Sequence, residues 1–163
     1  MDGDGRHAVT YSDLVNRFST TRVGSWIART VAARIDPYIY RWSKGRFTST
    51  GLPTIPQLVL TAVGRNSGQP RSVQLGYLAD GDDFVVVASN FGQPNHPAWS
   101  YNLVAEPCAT VEVDGRTVAV VTERLGDDEK DALWPRLVGV IPQFDVYVAR
   151  TDRNIRVFRL RPQ

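Results

Sequence analysis

Residues 64–71, GRNSGQPR, combine the side chains best suited to holding an anion. Arg65 and Arg71 carry guanidiniums, which form forked, charge-assisted bonds to phosphate or carboxylate oxygens. Ser67 adds a hydroxyl donor, and the glycines allow exposed backbone N–H groups to converge on a ligand. The same residue types also build ordinary turns, for conformational reasons alone. The segment is therefore either an anion-binding loop or a solvated hairpin turn.

Two strands are predicted to position this segment. Residues 58–63 form a short apolar and β-branched run, and residues 72–77 alternate polar and apolar side chains. Four more strands are predicted at residues 84–89, 109–113, 116–124 and 155–160, with helices at 97–105 and 126–140. Residues 84–89 should be buried on both faces, Asp114-Gly115 is a strong hairpin signal, and residues 141–151 are aromatic and irregular, with a helix as the alternative. The pattern favours a small, mainly β barrel with inserted helices.

Other chemistries find little support in the sequence. His96 is the only histidine beyond the N-terminal residues and no GxSxG motif is present, which argues against a nucleophilic hydrolase. One cysteine and two histidines are too few for a dedicated zinc site, so no metal is expected. Cys108 follows Glu106-Pro107 at a strand start, where a small, buried and inert thiol is expected.

The length and the composition indicate a soluble globular protein with a single domain. The 163 residues are 22% charged and 42% apolar, with no signal peptide and no uncharged run long enough to span a membrane, so a cytoplasmic location is expected. Residues 22–46 hold six basic and one acidic side chain, a net of +5, whereas residues 47–163 have a net of −2. No nucleic-acid motif accompanies the basic segment, so no nucleic acid is expected as partner.

The basic segment divides the chain into residues 1–46, a mobile N-terminus with a basic amphipathic helix, and residues 47–163, the barrel. Apolar residues in 23–42 keep helical spacing and include Trp26, Tyr38 and Trp42. Such a helix can lie on an anionic membrane surface at the inner face of the cell membrane. It can equally pack its apolar face on the barrel.

Several motifs of the chain resemble one known family. GRNSGQPR, VVVASNFG, HPAWSYNL, AEP, LWPRLV and VART-D are similar, in order and spacing, to the motifs of deazaflavin-dependent nitroreductases, which use coenzyme F420. The resemblance implies a split β-barrel of the FMN-binding, pyridoxamine-phosphate-oxidase-like type. It also implies an F420H2-dependent oxidoreductase that transfers a hydride to an apolar acceptor such as a quinone or a nitroaromatic compound.

The resemblance implies a set of cofactor-binding positions. Where the family motifs read GRKSG-x-PR and ASKGG, this chain has Asn66 and Asn90 in place of lysines, so two positive charges are missing from a site for a polyanion. Trp99 and Asn102 lie three apart on one helix face, as an aromatic wall and an amide partner, or as core packing. The full implied set is Arg65, Asn66, Ser67, Gln69, Arg71, Ser89, Asn90, Trp99 and Asn102.

The acceptor side departs further from the family pattern. Several tyrosines of the family correspond here to Ile141, Phe144, Tyr147 and Gly76, so only Tyr147 remains as a phenol and proton donor. The pocket is therefore expected to be more apolar, and reduction of nitro compounds is open. A noncatalytic carrier of F420, flavin or a lipid-like ligand is the main alternative, and an FMN oxidoreductase is a third. The physiological acceptor and the oligomeric state are left open.

Overall fold

Six strands close into an antiparallel barrel in the computed structural model, which describes residues 55–163 together with Tyr38, Ile39 and Trp42. The order around the barrel is β1-β2-β3-β6-β5-β4, so that β4 pairs again with β1. The strands are β1 (Gln57–Val63), β2 (Pro70–Asp80), β3 (Asp83–Val87), β4 (Cys108–Val113), β5 (Arg116–Arg124) and β6 (Val157–Pro162). The helices are α1 (Ala98–Ala105), α2 (Asp127–Val140) and α3 (Gln143–Val148), with a short 3-10 turn at Asn90–Gly92.

The predicted barrel and all six of its strands are confirmed, with shifted ends. The second strand is the largest change, because it runs over Pro70–Asp80 rather than 72–77. Its first half pairs with β1, where Gln57 faces Gly76, and its second half pairs with β3, where Tyr77 faces Val86. One strand that serves two partners in succession has to be long. The closing strand lies two residues later than predicted, and Asp114 and Gly115 have φ values of 50° and 74°, as a two-residue hairpin turn requires.

The core has two layers, separated by the barrel wall. One cluster fills the barrel interior and contains Val86, Trp99 and Phe158. The other lies outside the wall, where α2 and α3 pack on Val85 and Val87. Val85, Val86 and Val87 thus enter the two layers in alternation and all three are buried, which confirms the expectation for the centre of this strand.

An arginine network fastens the outer layer to the barrel. Arg159 on β6 donates to Asp80 at 2.7 Å, to Asp83 at 3.2 Å and to Glu129 at 2.8 Å, and its side chain is only 12% exposed. Arg136 on α2 donates to the other oxygen of Asp80 at 2.7 Å. Bonds from Arg136 and then Arg159 hold the pKa of Asp80 below its usual range, and the carboxylates raise the pKa of Arg159.

One sequence expectation is wrong and others fall outside the described residues. Cys108 is exposed, because it is the first residue of β4 and lies beyond the interior layer. Most of the predicted basic amphipathic helix at residues 23–42 and the boundary at 46 lie outside the described residues, although Tyr38, Ile39 and Trp42 have helical backbone. In the described part, no helix is both long and apolar enough to cross a membrane.

Candidate active site

The β1–β2 loop is a tight turn whose backbone donors are mostly consumed internally. The N–H groups of Ser67 and Gly68 both donate to the Gly64 carbonyl, at 3.1 and 2.8 Å. The Gly64 N–H donates to the Gln69 carbonyl at 2.9 Å, and the Gln69 N–H donates to the Ser67 hydroxyl at 3.3 Å. These four N–H groups are therefore not available to a ligand in this conformation. An anion at this loop has to be held by side chains.

Helix α1 fixes the position of the loop. The buried Asn102 accepts the Arg65 backbone N–H on its side-chain oxygen, at 3.1 Å. Trp99 lies one turn earlier and is 8% exposed, with its ring 5.6 Å from that of Phe158 inside the barrel. The predicted shared face is confirmed. Trp99 anchors the helix in the core, and Asn102 ties the loop to that anchor.

Tyr101, between these two residues, contacts two arginines from distant parts of the chain. The Arg65 guanidinium carbon lies 4.6 Å from the Tyr101 ring centroid, and that of Arg156 lies 4.7 Å from it. Cation–π contacts of this kind orient a guanidinium without neutralising its charge. Two positive charges, from the β1–β2 loop and from the residue before β6, therefore meet at one aromatic ring.

His96 and Arg153 extend this positive cluster. Arg153 donates to the Gln93 carbonyl at 2.8 Å, to the carbonyl of Ser89, and to Nδ1 of His96 at 3.0 Å. Because a guanidinium has only donors, Nδ1 of His96 must be unprotonated. Burial first, and then the charges of Arg156, Arg153 and Arg124, lower the pKa of His96 to about 4. The imidazole is thus a neutral acceptor within a positive field.

The turn after β3 holds a strained backbone. Asn90 and Phe91 have φ values of 45° and 55°, and Gly92 follows at 73°. A left-handed conformation is uncommon for a phenylalanine and costs on the order of 1–2 kcal/mol. The Asn90 side chain supports the turn by donating to the Asn95 carbonyl at 2.8 Å. Phe91 in turn packs edge-on against Tyr147, with ring centroids 5.6 Å apart.

The four residues expected on the acceptor side lie together. Ile141, Phe144 and Tyr147 are each 6% exposed and belong to the outer core layer, and a Cβ placed on Gly76 would lie 2.7 Å from Ile141 Cδ1. They are packed residues, so the apolar character predicted for this region is present. The Arg150 guanidinium lies 5.8 Å from the Tyr147 ring centroid.

The structure brings together part of the predicted cofactor set. The Arg65 backbone N–H donates to Asn102. The Ser89 carbonyl accepts from Arg153, which belongs to the same positive cluster as Arg65. Asn66, Gln69 and Arg71 are exposed on the loop surface. The short turn from Ser89 to Gly92 connects the positive cluster to Tyr147 through Phe91. In the described residues, no three side chains of metal-binding type come together.

Sequence reasoning missed four residues of this region: Tyr101, Arg153, Arg156 and Phe91. Tyr101 could have been found from its position directly before Asn102, because both side chains reach the loop. Arg153 directly follows the motif VART-D but received no role. Phe91 stands where the ASKGG motif has glycine, and an unusual residue at a glycine position was a usable signal. Arg156 had no sequence signal beyond its charge.

Comparisons with known proteins decide the family. Residues 32–162 match the family model described as F420H(2)-dependent quinone reductase. The chain belongs to this family. Use of F420 in the family, inferred from the motifs, is thereby confirmed, and the family is named for quinone reduction. Its fold, a six-stranded antiparallel barrel, is the one expected.

Individual relatives agree with this assignment. The chain is 30% identical over 143 residues to an F420H(2)-dependent quinone reductase of Mycobacterium tuberculosis, covering 83% of this chain and 95% of the relative. A solved structure described as an F420-H2 dependent reductase, FDR-A, matches with a TM-score of 0.60 and 30% identity, over 64% of this chain and 93% of that one. A chain described as a domain-swapped dimer matches with a TM-score of 0.62 and 26% identity, over 78% and 96%.

Proposed function

We propose that this protein is an F420H2-dependent reductase that transfers a hydride to an apolar, quinone-type acceptor. The observation that carries the proposal is the position of Arg65. Asn102 holds its backbone, Tyr101 holds its guanidinium, and no carboxylate of the described residues lies within ion-pair distance. An arginine fixed in this way is free to bind the anionic tail of a deazaflavin.

The residues present fit such a cofactor. Arg65 and Arg71 supply charge-assisted donors, and Ser67 supplies a hydroxyl that can donate outward while it accepts from Gln69. Bound F420H2 would supply the hydride. The chain's own contribution is to hold the tail at the loop, to keep apolar walls around the acceptor, and to offer the Tyr147 hydroxyl as proton source. The packing of Phe91 on Tyr147 excludes water from that side.

Titration calorimetry with F420 and an assay of F420H2 oxidation with menadione test the proposal. Arg65→Ala or Arg71→Ala should weaken F420 binding by about 1.5–3 kcal/mol, roughly ten- to hundredfold, because each removes a charge-assisted bond. Arg116→Ala, an exposed arginine at the opposite end of the barrel, is the matched control. Binding without turnover would favour the carrier. Tighter binding of FMN than of F420 would favour a flavin enzyme.

We also propose a peripheral contact with an anionic membrane. Tyr38 and Trp42 are one helical turn apart and 71% and 84% exposed, and residues 22–46 carry a net charge of +5. Each basic residue near an anionic surface contributes on the order of 1 kcal/mol. Trp42→Asp should reduce sedimentation with phosphatidylserine vesicles, whereas Val121→Asp on the barrel should not. Equal sedimentation of both variants with the parent would contradict this contact.

A further inference from the structure

Arg156, directly before β6, is the most incompletely satisfied charge in the described residues. Its Nε and Nη1 atoms are buried and have no hydrogen-bond partner there. The guanidinium contacts the Tyr101 ring at 4.7 Å, the same ring that Arg65 contacts at 4.6 Å. A buried guanidinium without acceptors costs several kcal/mol of desolvation. A ligand that accepts hydrogen bonds from these donors would offset this cost.

No carboxylate of the described residues forms an ion pair with Arg156. Arg153, its neighbour in the cluster, bonds only neutral acceptors, namely two backbone carbonyls and His96. Burial lowers the pKa of Arg153, and the nearby charge of Arg156 lowers it further. The described residues place no carboxylate in an ion pair with Arg65, Arg153 or Arg156. The missing counter-charge is therefore one that a ligand can bring.

The position of Arg156 relates it to the two family lysines that this chain lacks. Asn66 lies on the β1–β2 loop and Asn90 on the turn after β3, so neither supplies a charge. Arg156 reaches the same region from a third segment. Its guanidinium contacts the same Tyr101 ring as Arg65, the residue that the proposed function assigns to the tail of the cofactor.

We propose that Arg156 is a specificity-determining residue, whose free donors bind an oxyanion of the deazaflavin tail beside Arg65. This inference rests on the proposed function and deepens it. Arg156 takes over the charge that the family's lysines provide. It thereby selects a deazaflavin that carries a phosphorylated tail over the same ring system without one.

The test is calorimetric titration of Arg156→Met with two probes, F420 and the phosphate-free deazaflavin riboside. Methionine keeps an apolar side chain over Tyr101 and removes the charge. F420 should bind about tenfold or more weakly, the riboside should bind as to the parent, and the loss of F420 affinity on adding salt should be shallower. Arg161→Met, an exposed arginine on β6, is the control.

Thermal unfolding distinguishes this role from a structural one. Because the variant removes an uncompensated buried charge, its unfolding temperature should equal or exceed that of the parent. A clear drop in unfolding temperature with unchanged F420 affinity would make Arg156 a structural residue. Equal loss of affinity for F420 and the riboside would refute selection of the tail.

The outcomes separate this inference from the proposed function. If Arg156→Met binds both probes as the parent does while Arg65→Ala loses F420, the function stands and the role of Arg156 is refuted. If the parent binds neither F420 nor the riboside, both proposals fall together.

Discussion

Two arginine clusters of this barrel differ in whether their charges are neutralised within the protein. Around Arg159, four carboxylate oxygens from β2, β3 and α2 meet two guanidiniums, and the pKa of Arg159 is raised. Around Tyr101, arginines meet only a ring, carbonyls and an imidazole, and the pKa of Arg153 is lowered. The first, the closed cluster, has internal counter-charges and stabilises the fold. The second, the open cluster, keeps positive charge available for a ligand, at a cost in stability.

Helix α1, which carries Tyr101 of the open cluster, is held in the barrel core by Trp99. Trp99→Ala should lower the free energy of unfolding by about 3–5 kcal/mol, because it empties a core position next to Phe158 and loosens α1. Urea denaturation measures this loss. Trp134→Ala, a half-buried tryptophan on α2, should cost less. A small loss for Trp99→Ala together with abolished F420 binding would instead make Trp99 a wall of the site.

The closed cluster should behave as a structural unit. Arg159→Met should cost about 2–3 kcal/mol of unfolding free energy, because it leaves the carboxylates of Asp80 and Asp83 without their main partner. F420 affinity should be unchanged. Arg161→Met should cost less than about 1 kcal/mol, because its pair with Glu123 is exposed and it reaches Asp83 only at 3.8 Å. If Arg159→Met weakened F420 binding more than stability, the division between the two clusters would be wrong.

Acid should affect the open cluster specifically. The pKa of His96 is about 4 in the folded protein, below its ordinary 6.5, so the unfolded state binds more protons between these values. Stability should therefore fall as the pH drops through this window, by about 1–2 kcal/mol. His96→Asn keeps an acceptor for Arg153 and should remove this part of the pH dependence. Parallel unfolding curves of both proteins from neutral pH to about pH 4.5 would contradict it.

The smallest effect should come from restoring a charge. Asn66→Lys should tighten F420 binding about two- to fivefold, since it adds long-range attraction at an exposed loop, and the gain should shrink with salt. Thr117→Lys, exposed at the opposite end of the barrel, is the control. Asn90 is not suited to this test, because its side chain and left-handed backbone support the turn. Equal gains for both lysines would show that net charge, not position, acts.

Fold and site differ in how far the sequence predicts them. The barrel follows from local signals, such as the alternation in β2 and the Asp114-Gly115 turn, so six strands were found. The motifs identified Arg65 and Asn102 as partners in one site. The glycines allowed backbone N–H groups to converge on a ligand, but the turn uses them itself, which residue types do not reveal. Tyr101 and Arg156 are 55 residues apart in the chain. Only the closure of the barrel brings them together, so no local pattern could predict their contact.

The place of β6 in the barrel affects how the chain must fold during synthesis. β6 is the last of the six strands to be made, yet it fills the gap between β3 and β5. Until residue 162 has left the ribosome, two strands therefore have unpaired edges that can join other chains. Chains interrupted before Val157 would keep those edges permanently. Protection of nascent chains by chaperones is thus most needed over the final residues, when most of the barrel exists but cannot close.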